Sequence, residues 1–213
     1  EDPENRSNAG SVYIYNEKTA YDGTGWRNDH GFDMQSTGQT REENDRFGYS
    51  VDIDGDYLIS GMPFGGPSVS GNNGAGTAAI FVKVNGEYTF QTELTGQWTN
   101  GSELSGGGRT VAISGTRAYV GAPNYDSQKG RVAVYTRSGT TWTHQANLTG
   151  ASASINFGQA FMADGDTAII GAPTDDTGGT NEGRAFIYTG NSTLQATLVA
   201  DDAQPNDYFG YSV

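Results

Sequence analysis

Three short sequence patterns recur along the chain in a fixed order, and this repetition constrains the fold more than any other feature. The first pattern is "FGYSVDIDGDYLISGMP" from Phe47, with counterparts starting at Gly107 and Phe157 and a short one, "FGYSV", at Phe209. The second is an apolar run opened by glycine, at Gly10, Gly76, Gly130 and Gly183. The third comprises "YTFQTELTG" from Tyr88, "TWTHQANLTG" from Thr141 and "TLQATLVA" from Thr193. Three independent patterns spaced about 50 residues apart indicate an internal repeat.

Each repeat predicts four short strands. The alternating runs "YSVDI" and "YLISG" are joined by Asp54-Gly55, and Ser114-Gly115 and Asp164-Gly165 stand at the matching positions. Asp-Gly between alternating apolar runs is typical of a β-hairpin. The glycine-led run gives a third strand and the "TFQTELT" type a fourth. The predicted fold is therefore all-β, a single β-propeller over residues 1–213 built from four-stranded antiparallel blades.

The patterns divide the chain into about four repeats. The units are 1–46, which is partial, then 47–106, 107–156 and 157–208, with 209–213 starting the next. In the first unit, residues 19–41 replace the usual fourth strand with something longer. Because both ends of the sequence fall in the middle of a blade, we expect it to be part of a larger propeller. The alternative is that a neighbouring subunit supplies the missing strand.

The sequence resembles the FG-GAP repeats of integrin-α-type propellers, in the short-spacer variety found in microbial surface proteins. The resemblance lies in Phe-Gly followed about fourteen residues later by Gly-x-Pro, with Gly107-Gly108 replacing Phe-Gly in one unit. The residues that carry it are Phe47, Gly48, Gly61, Pro63, Gly121, Pro123, Phe157, Gly158, Gly171, Pro173, Phe209 and Gly210. It implies propeller blades and an extracellular or cell-surface location.

Calcium is the one cofactor that the resemblance raises, because many integrin-type blades bind Ca²⁺ in a D-x-D-x-D-G loop. The matching segment here, "DIDGD", offers Asp52, Asp54 and Asp56 but reads as a tight turn, and wrapping a Ca²⁺ ion needs a longer loop. Acidic residues also occur in 41–46 and in the loop that contains Asp175, Asp176 and Glu182. We predict no cofactor, and name these acids as the places where Ca²⁺ would bind.

Composition and motifs argue against several other classes of function. The chain has 25 acidic and 12 basic residues, a net charge of −13, which disfavours binding to nucleic acid. No apolar run approaches the ~20 residues of a membrane-spanning helix. The two histidines, His30 and His144, are far apart, and His144 is expected at the surface. No nucleophile elbow, zinc-protease or phosphate-binding motif is present, and neighbouring acids such as Asp201-Asp202 do not define a hydrolase geometry. We therefore predict that the protein is not an enzyme.

The remaining features favour an exported binding protein. Candidate glycosylation sequons lie at Asn5, Asn100, Asn147 and Asn191, and Tyr125, Trp98 and Trp142 are aromatic candidates for sugar stacking, although Trp142 suits blade packing better. We predict a secreted or cell-surface recognition or adhesion module that binds a protein or glycan through its variable loops, Phe64 to Gly74, Asn124 to Lys129 and Thr174 to Glu182. The alternative is a structural subunit of a surface filament or sheath that self-associates through Phe209 to Val213.

Overall fold

The computed structural model describes residues 9–20, 23–32, 44–66, 74–95, 106–151 and 156–213. Within these ranges the chain is all-β, in four sheets. Sheet 1 pairs β1 (Val12–Ala20) with β2 (Gly23–Phe32). Sheet 2 contains β3 (Val51–Asp54), β4 (Tyr57–Met62), β5 (Thr77–Val84) and β6 (Glu87–Leu94).

Sheets 3 and 4 repeat the arrangement of sheet 2. Sheet 3 contains β7 (Thr110–Ser114), β8 (Arg117–Ala122), β9 (Arg131–Ser138) and β10 (Thr141–Leu148), and a short turn over Tyr125–Gln128, with positive φ at residues 126, 127 and 128, precedes β9. Sheet 4 contains β11 (Phe161–Asp164), β12 (Thr167–Ala172), β13 (Arg184–Thr189) and β14 (Thr193–Leu198). In sheets 2, 3 and 4 the strands pair antiparallel in chain order, which confirms the predicted four-stranded antiparallel sheets.

In sheets 2, 3 and 4, the first hairpin turns one residue later than the sequence predicts. Asp54 pairs with Tyr57, so the two turn residues are 55 and 56, and the other two sheets turn at 115–116 and 165–166. Glycine is the first turn residue each time, with φ of +57°, +58° and +55°. A turn that needs positive φ at its first position selects glycine there, so Asp54 stays in the strand. The prediction of an Asp54-Gly55 turn is therefore wrong by one residue.

Two segments lie outside the complete sheets. Residues 23–32, inside the predicted insertion, form a strand that pairs along the whole of β1, from Val12 opposite Phe32 to Ala20 opposite Gly23. The insertion thus supplies a strand partner for β1, and residues 21–22 and 33–41 lie outside the described residues. At the other end, residues 209–213 form no strand, and Phe209 makes only a single parallel bridge with Gly183.

The fourth strand of each complete sheet contains a β-bulge at a glutamine. In sheet 2, Ile80 lies opposite Thr92 and Phe81 opposite Phe90, which leaves Gln91 as the extra residue. The same register shift leaves Gln145 unpaired in sheet 3 and Gln195 in sheet 4. A bulge increases the local twist of a strand, so all three sheets share this distortion near their outer edge.

The sheets pack face to face in chain order, with the hydrophobic core divided among the three interfaces. Strand β9 illustrates the arrangement: Ala133 and Tyr135 pack with sheet 2, whereas Val132 and Val134 pack with sheet 4. Sheets 1 and 2 are joined by a smaller cluster that includes Val12 and Phe81. Because the middle strands are buried on both faces, their sequences are continuous apolar runs.

Candidate ligand-binding surface

The stacked sheets have two different ends. Within each complete sheet, the first-to-second and third-to-fourth strand connections are hairpins of two or three residues and lie together. The second-to-third connections and the links between sheets lie at the opposite end. Parallel bridges hold successive sheets in the same orientation, so these longer segments share one surface. We call it the loop end; it contains the described parts of 44–50, 63–76, 95–109, 123–130, 149–160, 173–183 and 199–210.

At the loop end, the same backbone hydrogen bond recurs four times: three copies join one sheet to the next, and the fourth connects Phe209 to sheet 4. In each copy, the residue at the Phe position of one repeat donates its N–H to a carbonyl of the preceding sheet. This carbonyl belongs to the residue just before a strand-opening glycine, which is Gly10, Gly76, Gly130 or Gly183. The four N···O distances are 2.9 Å for Phe47 to Ala9, 3.1 Å for Gly107 to Ala75, 3.2 Å for Phe157 to Lys129 and 2.9 Å for Phe209 to Glu182. This junction fixes both the order and the orientation of the sheets.

Glycine is required at the junction because two backbones touch there. A Cβ added to Gly130 would lie 2.2 Å from the carbonyl oxygen of Phe157, and one added to Gly171 would lie 1.9 Å from that of Gly210. Gly61 faces the carbonyl of Gly108 in the same way, at 2.0 Å. The glycine of Gly-x-Pro therefore contacts the glycine of the next Phe-Gly across the interface, and neither position has room for a side chain.

The phenylalanine of the junction fills the space between two sheets. Phe47 and Phe157 are 2% and 0% exposed. The ring of Phe157 lies 5.5 Å from that of Phe186 and 6.2 Å from that of Tyr188, in contact with side chains of the preceding sheet as well. Aromatic pairs at such distances add to the stabilisation from burial alone.

A cavity of about 170 Å³ opens at the loop end between sheets 2 and 3. Two arginines and two aromatic rings dominate its lining. The guanidinium of Arg109 lies 5.8 Å from the ring centre of Tyr49, with Nη2 3.5 Å from the hydroxyl, and that of Arg46 lies 4.6 Å from the ring centre of Phe64. Pro63, Gly106 and Asn124 complete the lining of the cavity. A Cβ on Gly106 would lie 2.9 Å from Cδ of Arg109, so glycine keeps this wall open.

Arg46 occupies a strained backbone position. Arg46 is the first residue of a turn that is closed by a hydrogen bond from the N–H of Tyr49 to the carbonyl of Arg46, at 3.0 Å. The φ of Arg46 is +57°. Equivalent turns begin at Gly106, Asn156 and Tyr208, all with positive φ. Glycine and asparagine tolerate this conformation, whereas it costs an ordinary L residue roughly 1–2 kcal/mol. Such strain is a reason to look for function at the side chain concerned.

The comparison with known families bears on the junction directly. A family model described as FG-GAP repeat matches residues 142–188, which run from β10 into β13 and include Phe157-Gly158 and Gly171-Ala172-Pro173. This segment matches the FG-GAP repeat. The resemblance inferred from the sequence is thereby confirmed. A comparison with curated proteins finds no match.

Two acids in the first hairpin of sheet 2 accept hydrogen bonds from the backbone of sheet 3. Asp52 Oδ2 accepts the N–H of Ile113 at 2.8 Å, and Asp54 Oδ2 accepts the N–H of Gly115 at 2.6 Å. In sheet 3, Ser114 takes over this role and accepts from Gly165 N–H at 2.9 Å. These two carboxylates therefore connect the first hairpins of sheets 2 and 3 at the end opposite the loops, while Asp56 is exposed in the turn.

The acids of the loop 174–182 have different surroundings from one another. Asp175 is 1% exposed, accepts hydrogen bonds from the N–H and hydroxyl of Thr177, and lies 3.4 Å from Nε of Arg184. Asp176 accepts the N–H of Asn181 at 2.6 Å, and the carboxylate of Glu182 lies against the loop glycines. Among the described residues, no three acidic or histidine side chains form a group able to hold a metal ion. Residues 41–43 lie outside these ranges.

Burial shifts the protonation of two side chains between the sheets. Burial, reinforced by the negative charge of Asp45, raises the pKa of Glu93 above its usual value. Burial also raises the pKa of Tyr135, whose hydroxyl has no hydrogen-bond partner among the described residues. Tyr135 is therefore neutral in the folded chain, whereas ionisation of Glu93 is made less favourable by its surroundings in the fold.

The other residues singled out from the sequence have mixed surroundings. Asn191 is exposed in the turn before β14. Asn147 is half-buried, and its Oδ1 lies 3.2 Å from Nε2 of His144. His144 packs against Tyr135 at 5.5 Å, so it is half-buried and not the plain surface residue expected. One face of Tyr125 is covered by the guanidinium of Arg131, 3.7 Å from the ring centre. Asn5, Asn100 and Trp98 lie outside the described residues, as does the side chain of His30.

Trp142 and the cavity arginines show what pattern reasoning finds and misses. Trp142 packs on Tyr57 at 6.1 Å and donates its Nε1–H to Gln91 of sheet 2 at 2.8 Å, which accounts for its place in a strand. Arg46 and Arg109 were not singled out, because nothing local marks them. The signal that identifies Arg46 is an alignment of the four junction turns, in which a charged residue occupies a position suited to glycine or asparagine.

Proposed function

We propose that the chain is an extracellular, non-enzymatic recognition or adhesion module, whose sheets are consecutive blades of a β-propeller. It binds a protein or glycan partner through the loop end. FG-GAP repeats are typically extracellular, and the match at 142–188 supports this location. No helix among the described residues has the length and apolar character needed to cross a bilayer.

The observation that carries the proposal is the contrast between a constant scaffold and a variable surface. The junction hydrogen bond recurs with N···O distances between 2.9 and 3.2 Å at all four described junctions. The residues that follow Gly-x-Pro differ in each repeat: they begin with Phe64, Asn124 and Thr174 and continue without similarity. Rigid repeats that display divergent loops on one face are typical of binding proteins.

Binding to a glycan array and to cell-surface extracts tests the proposal. In one variant the order of residues 125–128 and 176–181 is scrambled, while Asp175 and Arg184 are kept because they hold the loop in place. The control variant carries Thr116→Lys and Thr140→Lys in the exposed hairpin turns at the opposite end. We expect partner binding to be lost in the first variant and retained in the second, with similar unfolding midpoints.

The opposite result is equally informative. Binding that survives the scrambled loops but disappears with the hairpin substitutions would place recognition at the other end and refute the proposal. Concentration-dependent self-assembly with no partner binding would favour the structural-subunit alternative.

A further inference from the structure

We propose that the cavity between sheets 2 and 3 binds an acidic sugar through its carboxylate or sulfate group. The inference rests on the proposed function and names the ligand class for one part of the loop end. The cavity combines two guanidinium groups, two aromatic rings and one amide side chain, from Arg46, Arg109, Tyr49, Phe64 and Asn124.

Neither guanidinium group is neutralised by a carboxylate of the described residues. They are held by Phe64 and Tyr49 through cation–π contacts, and within the described ranges neither forms an ion pair with a carboxylate. This is unusual in a chain with 25 acidic and 12 basic residues. The planar fork of arginine matches the two oxygens of a carboxylate or sulfate, so a pair of such groups in one cavity selects an oxyanion.

The positive pair is specific to one junction of an otherwise constant scaffold. At the next junction along the chain, Gly106 corresponds to Arg46 and Gln159 corresponds to Arg109, since the same turn hydrogen bond recurs at 3.1 and 3.0 Å. The neighbouring junction is therefore built in the same way but has no arginine at either of these two positions, and Arg109 stands there in the place of Tyr49. Arg46 is also kept at φ +57°, where glycine or asparagine would be less strained.

The size and chemistry of the cavity favour a sugar ring over a peptide. Its volume of about 170 Å³ equals roughly five or six water molecules at ~30 Å³ each, comparable with a single sugar ring. The rings of Tyr49 and Phe64 provide apolar surface for its C–H groups, and the Asn124 amide can both donate to and accept from hydroxyls. An extended peptide requires a longer groove or a free strand edge.

Titration of the purified chain with three small probes tests the inference. Methyl glucuronide and glucose 6-sulfate carry the two acid groups, and methyl glucoside is the neutral control. The variants Arg46→Asn and Arg109→Gln introduce residues found at equivalent turn positions in this chain, Asn156 and Gln159, so both should fold. Lys83→Gln, at the hairpin end, removes the same charge away from the cavity.

We expect at least one acidic probe to bind more tightly than the neutral one. Each arginine substitution should weaken it at least about tenfold, the loss expected when a charge-assisted hydrogen bond is removed. Lys83→Gln should bind as the unsubstituted chain does, and the unfolding midpoint of Arg46→Asn should not be lower. Absence of binding by both acidic probes, equal binding of the neutral probe, or unchanged affinity in both arginine variants would overturn the inference. Tighter binding of an acidic peptide than of either sugar would also do so.

Failure of the acidic-sugar inference can be distinguished from failure of the proposed recognition function. If scrambling the loops abolishes partner binding while Arg46→Asn and Arg109→Gln retain it, the chain is a recognition module whose ligand is not an acidic sugar at this cavity. If the scrambled loops have no effect, the proposed function itself fails.

Discussion

Replacing Gly130 with Ala tests the contact that joins sheet 3 to sheet 4. Gly130 has φ of +82°, which costs an alanine roughly 1–2 kcal/mol. Its new Cβ would lie 2.2 Å from the carbonyl oxygen of Phe157, whereas ordinary contact begins at 3.4 Å, so the backbones must separate. That movement weakens the 3.2 Å hydrogen bond from Phe157 to Lys129, worth about 1 kcal/mol, and loosens the packing of the Phe157 ring. We expect a loss of about 4 kcal/mol in the free energy of unfolding.

Gly139→Ala is the matched control. Gly139 also has positive φ, +61°, but a Cβ there meets nothing within 4 Å, so only the backbone cost of about 1–2 kcal/mol applies. Equilibrium unfolding in urea should therefore separate the two variants by roughly 2–3 kcal/mol. In a chain of this size that corresponds to a melting temperature lower by roughly 4–12 °C. If the two variants differ by less than about 1 kcal/mol, the close approach at the junction is not what holds the sheets together.

Three further changes test the contacts between sheets. Asp52→Ala removes the acceptor of the Ile113 N–H, at 2.8 Å, and should lower the free energy of unfolding, measured in urea, by about 1–3 kcal/mol. Asp52→Asn should cause a smaller loss because the amide oxygen can still accept, and equal losses in the two variants would contradict this role for Asp52. Glu93→Gln should raise the melting temperature at pH 7, because the raised pKa makes ionisation of Glu93 unfavourable in the folded state. The gain should shrink as the pH falls from the raised pKa of Glu93 towards 4.5, the usual value, and should be nearly absent below 4.5, where Glu93 is protonated in both the folded and the unfolded state. A gain independent of pH would argue against the assignment. Trp142→Phe breaks the 2.8 Å hydrogen bond to Gln91, and a double-mutant cycle with Gln91→Ala should give a coupling of about 1 kcal/mol, whereas zero coupling would exclude that bond.

The sheets were predictable from sequence because their signals are local. Alternation of apolar residues and a glycine in each first hairpin suffice to predict the first and second strands of every repeat. The same reasoning misplaced the first turn of sheet 2 by one residue. The sequence alone does not decide whether the two turn residues are 54 and 55 or 55 and 56. Only the pairing of Asp54 with Tyr57 decides the matter.

The bulges and the acid contacts depend on the neighbouring strand or sheet. Gln91 recurs as Gln145 and Gln195, so the sequence contains the signal, but an extra residue in a strand becomes visible only through its partner's register. Asp52 resembled a calcium ligand because of the spacing of the acids around it. In the fold it faces the backbone of the next repeat, a contact that no local pattern encodes.

The cavity was beyond sequence reasoning for the same physical reason. Arg46 and Arg109 lie in successive junction turns, which start at residues 46 and 106, and meet only because the stacking of the sheets brings these turns side by side. Each arginine taken alone is an ordinary exposed residue. Aligning the turns of all repeats reveals the unusual residue at position 46, but the partner and the cavity follow from the stacking of the sheets.

Amide hydrogen exchange at the junction tests most directly that one repeated backbone contact holds successive sheets together. The N–H groups of Phe47 and Phe157 donate across sheets at 2.9 and 3.2 Å, next to phenylalanine rings that are almost fully buried. We predict that both amides exchange as slowly as that of Val134 in the centre of β9. Exchange as fast as that of Gly86, in an exposed hairpin turn, would contradict the account.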